Sequence, residues 1–349
     1  MTFERIGVVG LGIMGAGIVE VFAKAGLQVV GVAESEPAVE QGKKNLATSL
    51  SRAVSREKIT QEQADEISAC VSWGTDFELF AECDLVVEAA PEIMSLKQQI
   101  FSELDRVVKP ESVLASNTSS LSVSAIAEAT ERPEQVVGMH FFNPAPIQKF
   151  VEVIATDKSH ADIVEAVAEL AKSLGKSPAV VADKPGFIVN KLLLTYLNHA
   201  VRLLDEGVAS REVIDSAMRE LAHFPMGPLE LLDLIGLDTS VEVLHTIEAD
   251  TRDPLDAPAA SLLSLIAAGN KGRKTGSGFY DYAEKHEAPS SDDQELKIQV
   301  HATLMKAYLH TARAMNESGY ASQADIDMGM KLGCGLPEGP FETMDHFVS

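Results

Sequence analysis

The stretch VVGLGIMGAGI, residues 8–18, contains three glycines at the spacing G-x-G-x-x-G, namely Gly10, Gly12 and Gly15. An apolar run precedes these glycines, a stretch with helical spacing of apolar residues follows them, and a second apolar run comes next. This order predicts strand, glycine turn, helix and strand over residues 5–34, which is the unit that binds a dinucleotide. From this unit alone, a flavin or adenylate site remains an alternative.

Glycine is needed at these positions for steric reasons. The first permits the tight turn, the second lets the backbone approach a pyrophosphate, and the third lets helix and strand pack closely. The helix N-terminus, which includes Ile13 and Met14, offers free N–H groups and a positive dipole end to the phosphates. We therefore assign the three glycines, Ile13 and Met14 to a cofactor-binding set.

An acidic residue at the end of the second strand of such a unit bonds the ribose hydroxyls of NAD. Glu34 is the candidate for this contact, and no arginine stands nearby to accept a 2′-phosphate. The sequence therefore predicts NAD rather than NADP.

The composition excludes some classes of partner. The chain has 349 residues, 46% of them hydrophobic, which is enough for two or three domains. It carries 52 acidic against 29 basic residues and a formal charge of -23. This balance argues against nucleic acid or an anionic membrane as a partner, although a local pocket can still bind a small anion.

The three cysteines, Cys70, Cys83 and Cys334, are far apart and form no Cys-x-x-Cys pair. The sequence therefore predicts neither a disulfide framework nor a metal site. The strand pattern begins almost at the first residue, and no apolar run is long enough to span a bilayer. We expect a cytoplasmic protein.

Strand and helix patterns alternate through the first half of the chain, which predicts a doubly wound α/β sheet. Ligands of such sheets bind at the carboxyl ends of the strands. Polar residues fall at the predicted ends: Glu88, Glu92, Ser119, His140 and Asn143. Several polar side chains at one edge favour a functional site there.

Seven motifs in order resemble those of the L-3-hydroxyacyl-CoA dehydrogenases: VVGLGIMGAGI, DLVVEAAPE, ASNTSSL, GMHFFNPAP with KFVEVI, DKPGFIVNKLL, FPMGPLELLDLIGLD and GRKTGSGFYDY. Together they span roughly residues 5–282, and such a set is far more specific than the glycine loop alone. The resemblance implies a Rossmann-type NAD domain and a helical domain that closes over an acyl-CoA and forms a homodimer.

The resemblance also assigns roles to single residues. It implies that His140 is the catalytic base and Glu152 its partner, and that Ser119 and Asn190 hold the reacting end of the substrate. Three further residues match positions near the cofactor and the active site: Glu92, Lys97 and Asn143. The chain departs from the family at Ala33, where the family commonly has Asp directly after the second strand, and Glu34 follows one residue later.

These residue types suit the chemistry. Oxidation of a secondary alcohol needs a group that accepts the hydroxyl proton, and histidine titrates near neutrality. A carboxylate on the other ring nitrogen fixes the tautomer and stabilises the imidazolium. The cofactor carries the hydride chemistry.

Each candidate also has a structural alternative. Ser119 could cap the helix that follows it, Glu152 could be a solvent-facing strand residue, and Asn190 could be a helix residue without a ligand. His199 and His223 have no motif support, and we interpret them as structural.

The second half of the chain predicts helices and contains a repeat. A shift of 112 residues aligns residues 196–233 with 308–345 at fourteen identities. At the same offset Asn190 faces Ala302, so the second copy lacks the candidate active-site asparagine. We expect this copy to be structural, either replacing a second subunit's helices or extending a dimer interface.

The sequence thus predicts an NAD domain over residues 1–184, a helical substrate and dimerisation domain over 185–283, and a partial repeat over 295–349, with a polar linker over 284–295. The predicted function is NAD-dependent, reversible oxidation of (S)-3-hydroxyacyl-CoA to 3-ketoacyl-CoA. The alternatives are a hydroxy acid dehydrogenase that does not use CoA and a non-catalytic nucleotide-binding relative. Acyl length is not determined by the sequence, and a short chain is the default.

Overall fold

The computed structural model describes residues 1–282 and 290–347. The chain divides into two units, Met1–Asp183 and Lys184–Ser349. The first half of the predicted linker, residues 284–289, lies outside the described residues. Its last two residues, Gln294 and Glu295, are not linker but the start of a helix whose N-cap is Asp293.

The first unit is an α/β sandwich. Its strands are β1 Arg5–Val9, β2 Gln28–Val32, β3 Val71–Gly74, β4 Leu85–Glu88, β5 Val113–Ser116, β6 Val136–Phe141, β7 Phe150–Ala155 and β8 Ser177–Ala182. Its helices are α1 Ile13–Lys24, α2 Glu36–Ser55, α3 Gln61–Ala69, α4 Met94–Val107, α5 Val123–Ala127 and α6 Ala161–Ser173. The strands form one sheet in the order β3-β2-β1-β4-β5-β6-β7-β8. The predicted doubly wound sheet is confirmed.

The direction of the strands changes once across the sheet. Strands β1 to β6 pair in parallel, β7 is antiparallel to β6, and β8 is parallel to β7. Parallel neighbours need a crossover of a dozen or more residues, whereas an antiparallel neighbour needs only a short loop. Because the loop between β6 and β7 holds only residues 142–149, β7 must return beside β6. The start of β7 therefore lies at the carboxyl ends of β1, β4, β5 and β6.

Apolar side chains on both faces hold this sheet between its helices. Ile6 and Val87 are buried on one face of the sheet together with Ile18 of α1, and Val86 and Leu114 are fully buried on the other face. Strands covered on both faces read as continuous apolar runs, which is why these segments show little alternation.

The second unit is helical within its described residues. Its helices are α7 Val189–Asp205, α8 Arg211–Leu221, α9 Pro228–Ile235, α10 Leu237–Thr251, α11 Ala260–Ala267, α12 Gln294–Glu317, α13 Gln323–Cys334 and α14 Pro340–Phe347. Gly207, two residues after the end of α7, has a positive φ of 69° and turns the chain. Ser210 accepts a hydrogen bond from the Val213 N–H and caps α8.

The internal repeat is visible in the helices. A shift of 112 residues carries Arg211 and Pro228, which begin α8 and α9, onto Gln323 and Pro340, which begin α13 and α14. We call residues 189–235 the first helical copy and residues 301–347 the second. The equivalent residues Tyr196 and Tyr308 contact each other edge-on, with ring centroids 5.9 Å apart. The two copies therefore pack against one another through matching positions.

Candidate active site

His140 and Glu152 face each other across two neighbouring strands. They are register partners in the antiparallel pair of β6 and β7, and His140 Nδ1 lies 2.7 Å from Glu152 Oε2. His140 is only 7% exposed and Glu152 is fully buried. The alternative of a solvent-facing Glu152 is therefore wrong, because its side chain points into the sheet's covered face. A carboxylate at this distance favours the neutral tautomer with the proton on Nδ1, which leaves Nε2 as the unprotonated ring nitrogen.

Aromatic rings pack around this histidine. The Phe142 ring lies 4.6 Å from the His140 ring, centroid to centroid, and Phe150 lies 5.4 Å from Phe142. Phe141 points elsewhere and packs on Phe22 of α1. The two phenylalanines next to His140 in sequence thus have different tasks: one contacts the imidazole and the other fills the sheet–helix core.

The Glu92 carboxylate accepts hydrogen bonds from residues of the Ser-Asn-Thr-Ser-Ser turn at the end of β5. Its Oε1 accepts hydrogen bonds from Thr118 Oγ1 at 2.6 Å, from the Ser119 N–H at 2.9 Å and from the Ser120 N–H at 3.0 Å. The hydroxyl groups of Ser119 and Ser120 also lie within 3.3 Å and 3.2 Å of it. The structure therefore brings two predicted site residues, Glu92 and Ser119, into direct contact.

Ser119 does not cap the next helix. The N-cap of α5 is Ser122, whose hydroxyl accepts the Ala125 N–H. The capping alternative for Ser119 is wrong, since α5 begins three residues later than that alternative requires.

Lys97 contacts Glu92 from the buried interior of the sheet unit. Its Nζ lies 2.7 Å from Glu88 Oε1 and 3.3 Å from Glu92 Oε2, and its side chain is 1% exposed. Burial alone would raise the pKa of Glu92, but the Lys97 charge and the hydrogen bonds from Thr118 and Ser119 outweigh it and hold that pKa below its ordinary value. Glu92 is thus kept ionised and fixed beside the turn that bears Ser119.

Glu88 anchors the lysine within the sheet. It is fully buried, and besides Lys97 it accepts Ser116 Oγ at 2.7 Å and the Ala90 N–H at 2.6 Å. A buried pair of this kind is expensive to break, because removing one partner leaves an uncompensated charge. The pairing of Glu88 with Lys97, nine residues apart, was not predicted from the sequence.

The glycine loop has the geometry that a pyrophosphate requires. Gly10 has φ +85°, and a Cβ on Gly15 would lie 1.7 Å from the Gly10 carbonyl oxygen. A Cβ on Gly12 would meet nothing within 4 Å, so this glycine faces open space at the start of α1. The helix has no side-chain cap and no acidic residue in its first turn. Its free N–H groups fit the phosphates of NAD.

Several predicted residues line this edge at the surface. Ile13 is 75% exposed, and Met14 is half-buried. Glu34 is exposed two residues after β2, whereas Ala33 is buried. Asn143 is exposed just after β6.

Asn190 lies in the second unit. It is the second residue of α7 and is half-buried. His199, on the same helix, is half-buried with a pKa lowered by burial. His223 is exposed and adopts a positive φ of 55°.

Two residues with structural tasks at the site were missed by sequence reasoning. Asn117 Oδ1 accepts the Phe141 N–H at 2.8 Å and so ties the end of β5 to β6 beside His140. Asp183 accepts the N–H groups of Val123 and Ser124 at 3.0 and 2.7 Å and fixes the start of α5. Both lie inside quoted motifs, at strand ends where polar side chains commonly bond neighbouring backbone.

Within the part of the chain that the structure describes, no helix combines the length and apolar character needed to cross a membrane. Nor do those residues include a cluster of three or more His, Cys, Asp or Glu side chains placed to hold a metal ion.

Comparison with protein families gives two matches that together cover most of the chain. Residues 5–184 match the model of the 3-hydroxyacyl-CoA dehydrogenase NAD binding domain. Residues 186–282 and, again, residues 300–348 match the C-terminal domain of the same family. The second match falls on the repeat.

Individual relatives agree. A 3-hydroxybutyryl-CoA dehydrogenase of Bradyrhizobium diazoefficiens is 41% identical over 83% of this chain and 99% of its own length. The mitochondrial hydroxyacyl-coenzyme A dehydrogenase of Mus musculus is 43% identical over 81% of this chain and 92% of its own length. The crystal structure of a 3-hydroxybutyryl-CoA dehydrogenase from Escherichia coli superposes with a TM-score of 0.93 at 30% identity, covering 99% of this chain and 92% of that one.

The assignment follows from three findings: a Rossmann-type unit with an intact pyrophosphate loop, a helical unit, and these matches. The chain belongs to the 3-hydroxyacyl-CoA dehydrogenase family and is an NAD-dependent oxidoreductase of 3-hydroxyacyl-CoA.

Proposed function

We propose that His140 is the general base that removes the hydroxyl proton of an (S)-3-hydroxyacyl-CoA, and that Glu152 orients it. The observation that carries this proposal is the buried contact of 2.7 Å between His140 Nδ1 and Glu152 Oε2. With Nδ1 held by the carboxylate, Nε2 takes the proton as the alcohol becomes a ketone. In the reverse direction the imidazolium returns the proton to the alcohol oxygen.

NAD, when bound, supplies the hydride acceptor. The glycine loop and the first turn of α1 would hold its pyrophosphate, and Glu34 would bond the ribose hydroxyls. Ile13, exposed at the mouth of this loop, offers an apolar contact, with Met14 beside it.

Glu152 acts by stabilising charge as well as by orientation. An imidazolium forms on His140 during oxidation, and in a buried site its attraction to a carboxylate is little screened by water. The Phe142 ring, 4.6 Å away between centroids, restricts rotation of the imidazole. The base is therefore preorganised before the substrate arrives.

The residues around Glu92 position the substrate. Ser119 would hydrogen-bond the reacting oxygen while its backbone is held by Glu92. Lys97 fixes Glu92 from the buried side. Asn190 and Asn143 are proposed, from the family motifs, to complete the substrate and cofactor contacts.

The first experiment measures NADH oxidation with acetoacetyl-CoA in the wild type and two variants. We expect His140→Ala to lower kcat/KM by about 10³-fold and Glu152→Gln by at least about 10²-fold. The matched control is His245→Gln, since His245 pairs with Glu248 at 3.5 Å on the surface. Full turnover in the His140→Ala variant would overturn the assignment of the base.

A substrate panel tests the acyl group and the cofactor. We propose a short acyl chain, an expectation that the relatives named 3-hydroxybutyryl-CoA dehydrogenases support. The panel compares 3-ketoacyl-CoA thioesters of increasing length, free acetoacetate, and NADH against NADPH. Equal rates with acetoacetate and its thioester would contradict a CoA enzyme, and a preference for NADPH would contradict the role of Glu34.

Oligomeric state and compartment remain predictions. The sequence-based expectation is a cytoplasmic homodimer, with the repeat either extending the interface or replacing a second subunit's helices. Direct packing of Tyr196 on Tyr308 within one chain supports the replacement. Sedimentation velocity distinguishes a monomer from a homodimer. A species of 37.4 kDa supports a repeat that replaces a second subunit's helices, and a species of twice that mass supports the homodimer.

A further inference from the structure

The second helical copy contains a groove that has a filled counterpart in the first. Helices α12, α13 and α14 line an open cavity of about 940 Å³. Its walls include Gln323, Asp327, Phe341, Met344 and Asp345. We call this cavity the repeat groove.

In the first copy a segment of the same chain occupies the corresponding place. This segment, GRKTGSGFYDY at residues 272–282, is named here the covering segment. Asp233, the counterpart of Asp345, accepts the N–H groups of Phe279 and Tyr280, each at 2.9 Å. Asp215, the counterpart of Asp327, accepts the Tyr280 hydroxyl at 2.9 Å.

A third groove position makes the same kind of contact. Arg211, the counterpart of Gln323, donates to the Phe279 carbonyl oxygen and stacks over the Tyr280 ring at 4.8 Å. Phe279 and Tyr280 are each only 6% exposed as a result. Three first-copy residues thus form a receptor for an extended backbone with two aromatic side chains.

The second copy keeps the carboxylates of this receptor, and among the residues that the structure describes no segment covers them. Asp327 still accepts the Phe341 N–H at 2.7 Å, as Asp215 accepts that of Leu229 at 2.8 Å. Asp345 is exposed, and within residues 1–282 and 290–347 nothing donates a hydrogen bond to it. Gln323 retains an amide group that can donate to a carbonyl.

The receptor also specifies a glycine. A Cβ on Gly278 would lie 1.8 Å from Asp233 Oδ1, so only glycine lets the chain approach that carboxylate. The receptor therefore accepts only glycine at the position directly before the two aromatic residues. The covering segment carries two cations and one carboxylate. The repeat groove is lined by four carboxylates, on Glu317, Asp327, Glu342 and Asp345, against one cation, Arg313, and Glu342 is already paired with Lys331.

We propose that the repeat groove binds an extended segment of a partner protein that presents glycine followed by two aromatic residues, with a basic residue nearby. Asp345 accepts the two backbone N–H groups that follow the glycine, and Asp327 accepts the hydroxyl of the second aromatic residue when this is tyrosine. Phe341 and Met344 supply apolar contact. This proposal does not depend on the catalytic assignment.

The first test uses a fluorescein-labelled peptide with the sequence GRKTGSGFYDY and the full chain. Fluorescence anisotropy is expected to report binding, and Asp345→Asn is expected to weaken it about tenfold, as for loss of charge-assisted hydrogen bonds. A peptide with phenylalanine in place of its second aromatic residue is expected to bind about threefold more weakly. Asp157→Asn removes one charge from the exposed surface of the other unit and serves as the matched control, which leaves binding unchanged.

A second test removes the difficulty of weak peptide affinity. The same segment is fused after Ser349 through a flexible Gly/Ser linker, which gives it an effective concentration in the millimolar range. The fusion is expected to raise the Tm of the chain, and Asp345→Asn is expected to remove the gain. Catalytic activity should not change in either protein.

Equal peptide binding by wild type and Asp345→Asn overturns the proposal, as does the absence of a Tm gain in the fusion. A concentration-dependent dimer that Asp345→Asn abolishes also overturns the assignment to a separate partner, since a second copy of the chain would then fill the groove.

Discussion

Asp215 in the first helical copy and Asp327 in the second cap the helix that follows each of them in the same way. Each accepts a backbone N–H from the start of that helix, at 2.8 and 2.7 Å respectively. In both copies the preceding glycine allows this approach, since a Cβ on Gly227 or Gly339 would lie 2.3 Å from the aspartate Cβ. The difference lies above the carboxylate: Tyr280 covers Asp215, and the repeat groove opens over Asp327.

The comparison separates residues that build the unit from residues that use it. Capping serines, turn glycines and the helix-capping aspartate occur in both copies, because each copy must form the same three helices. Asn190 of the first copy aligns with Ala302 of the second. The covering segment contacts the first copy. The two copies therefore share the residues that folding requires, and they differ at the candidate substrate residue and in the contacts to the covering segment.

The largest difference between the copies is expected when each aspartate is removed. Asp215→Ala leaves two buried N–H groups and the Tyr280 hydroxyl without an acceptor, and we expect a loss of about 4 kcal/mol in the free energy of unfolding. Asp327→Ala should cost about 1 kcal/mol, because water can enter the half-exposed site. Urea unfolding followed by circular dichroism measures both. Equal losses would show that the covering segment adds nothing to the first cap.

The next difference concerns activity. Asn190→Ala makes the first copy resemble the second at this position and is expected to lower kcat/KM about 10²-fold, or about 2.7 kcal/mol of transition-state stabilisation. Ala302→Asn makes the reverse change at an exposed position and should leave kcat/KM unchanged. A normal rate for Asn190→Ala would contradict the proposed role and favour the alternative, in which Asn190 is a helix residue that contacts no ligand.

A smaller difference is expected in the dependence of stability on pH. Burial raises the pKa of Asp215 to about 7 from 3.8, although hydrogen bonds from Leu229, Tyr280 and Glu230 oppose it. The folded chain then holds this proton more tightly than the unfolded chain does. The stabilising contribution of Asp215 is complete below about pH 4 and is lost as the pH rises through about 7.

Asp215→Asn should therefore remove a fall in stability between about pH 4 and about pH 7. Burial also raises the pKa of Asp327, so Asp327→Asn serves as the comparison, with a smaller change expected at the less buried site. Urea midpoints at a series of pH values report both. A variant profile parallel to the wild type would contradict the raised pKa of Asp215.

Local features of the fold were predictable because short stretches of sequence determine them. The glycine loop, the cap at Ser210 and the turn at Gly207 each depend on a few neighbouring residues. The repeat was visible because its copies align without a gap. The sheet followed from alternating strand and helix patterns.

Long-range pairings were not predictable in the same way. The reversal of β7 sets His140 opposite Glu152, and this register depends on a short loop and on packing that no single motif encodes. The burial of Lys97 with Glu88 and the bonds from Asp233 to Phe279 and Tyr280 likewise join distant elements. The family resemblance did imply that Glu152 is the partner of His140, and the strand pattern adds a partial signal, since each is a lone polar residue in an apolar strand that must find a buried partner.

The smallest effect is expected where the two copies touch. The hydroxyl groups of Tyr196 and Tyr308 are buried and have no hydrogen-bond partner among the described residues, while the two rings contact each other at 5.9 Å. Burying a hydroxyl without a partner is unfavourable, so Tyr196→Phe and Tyr308→Phe should each leave the free energy of unfolding unchanged or raise it by up to about 1 kcal/mol. Because the positions are equivalent, the two variants should behave alike. A loss in only one of them, measured by urea unfolding, would show that a buried water satisfies that hydroxyl and that the contact between the copies is less symmetric than the ring packing indicates.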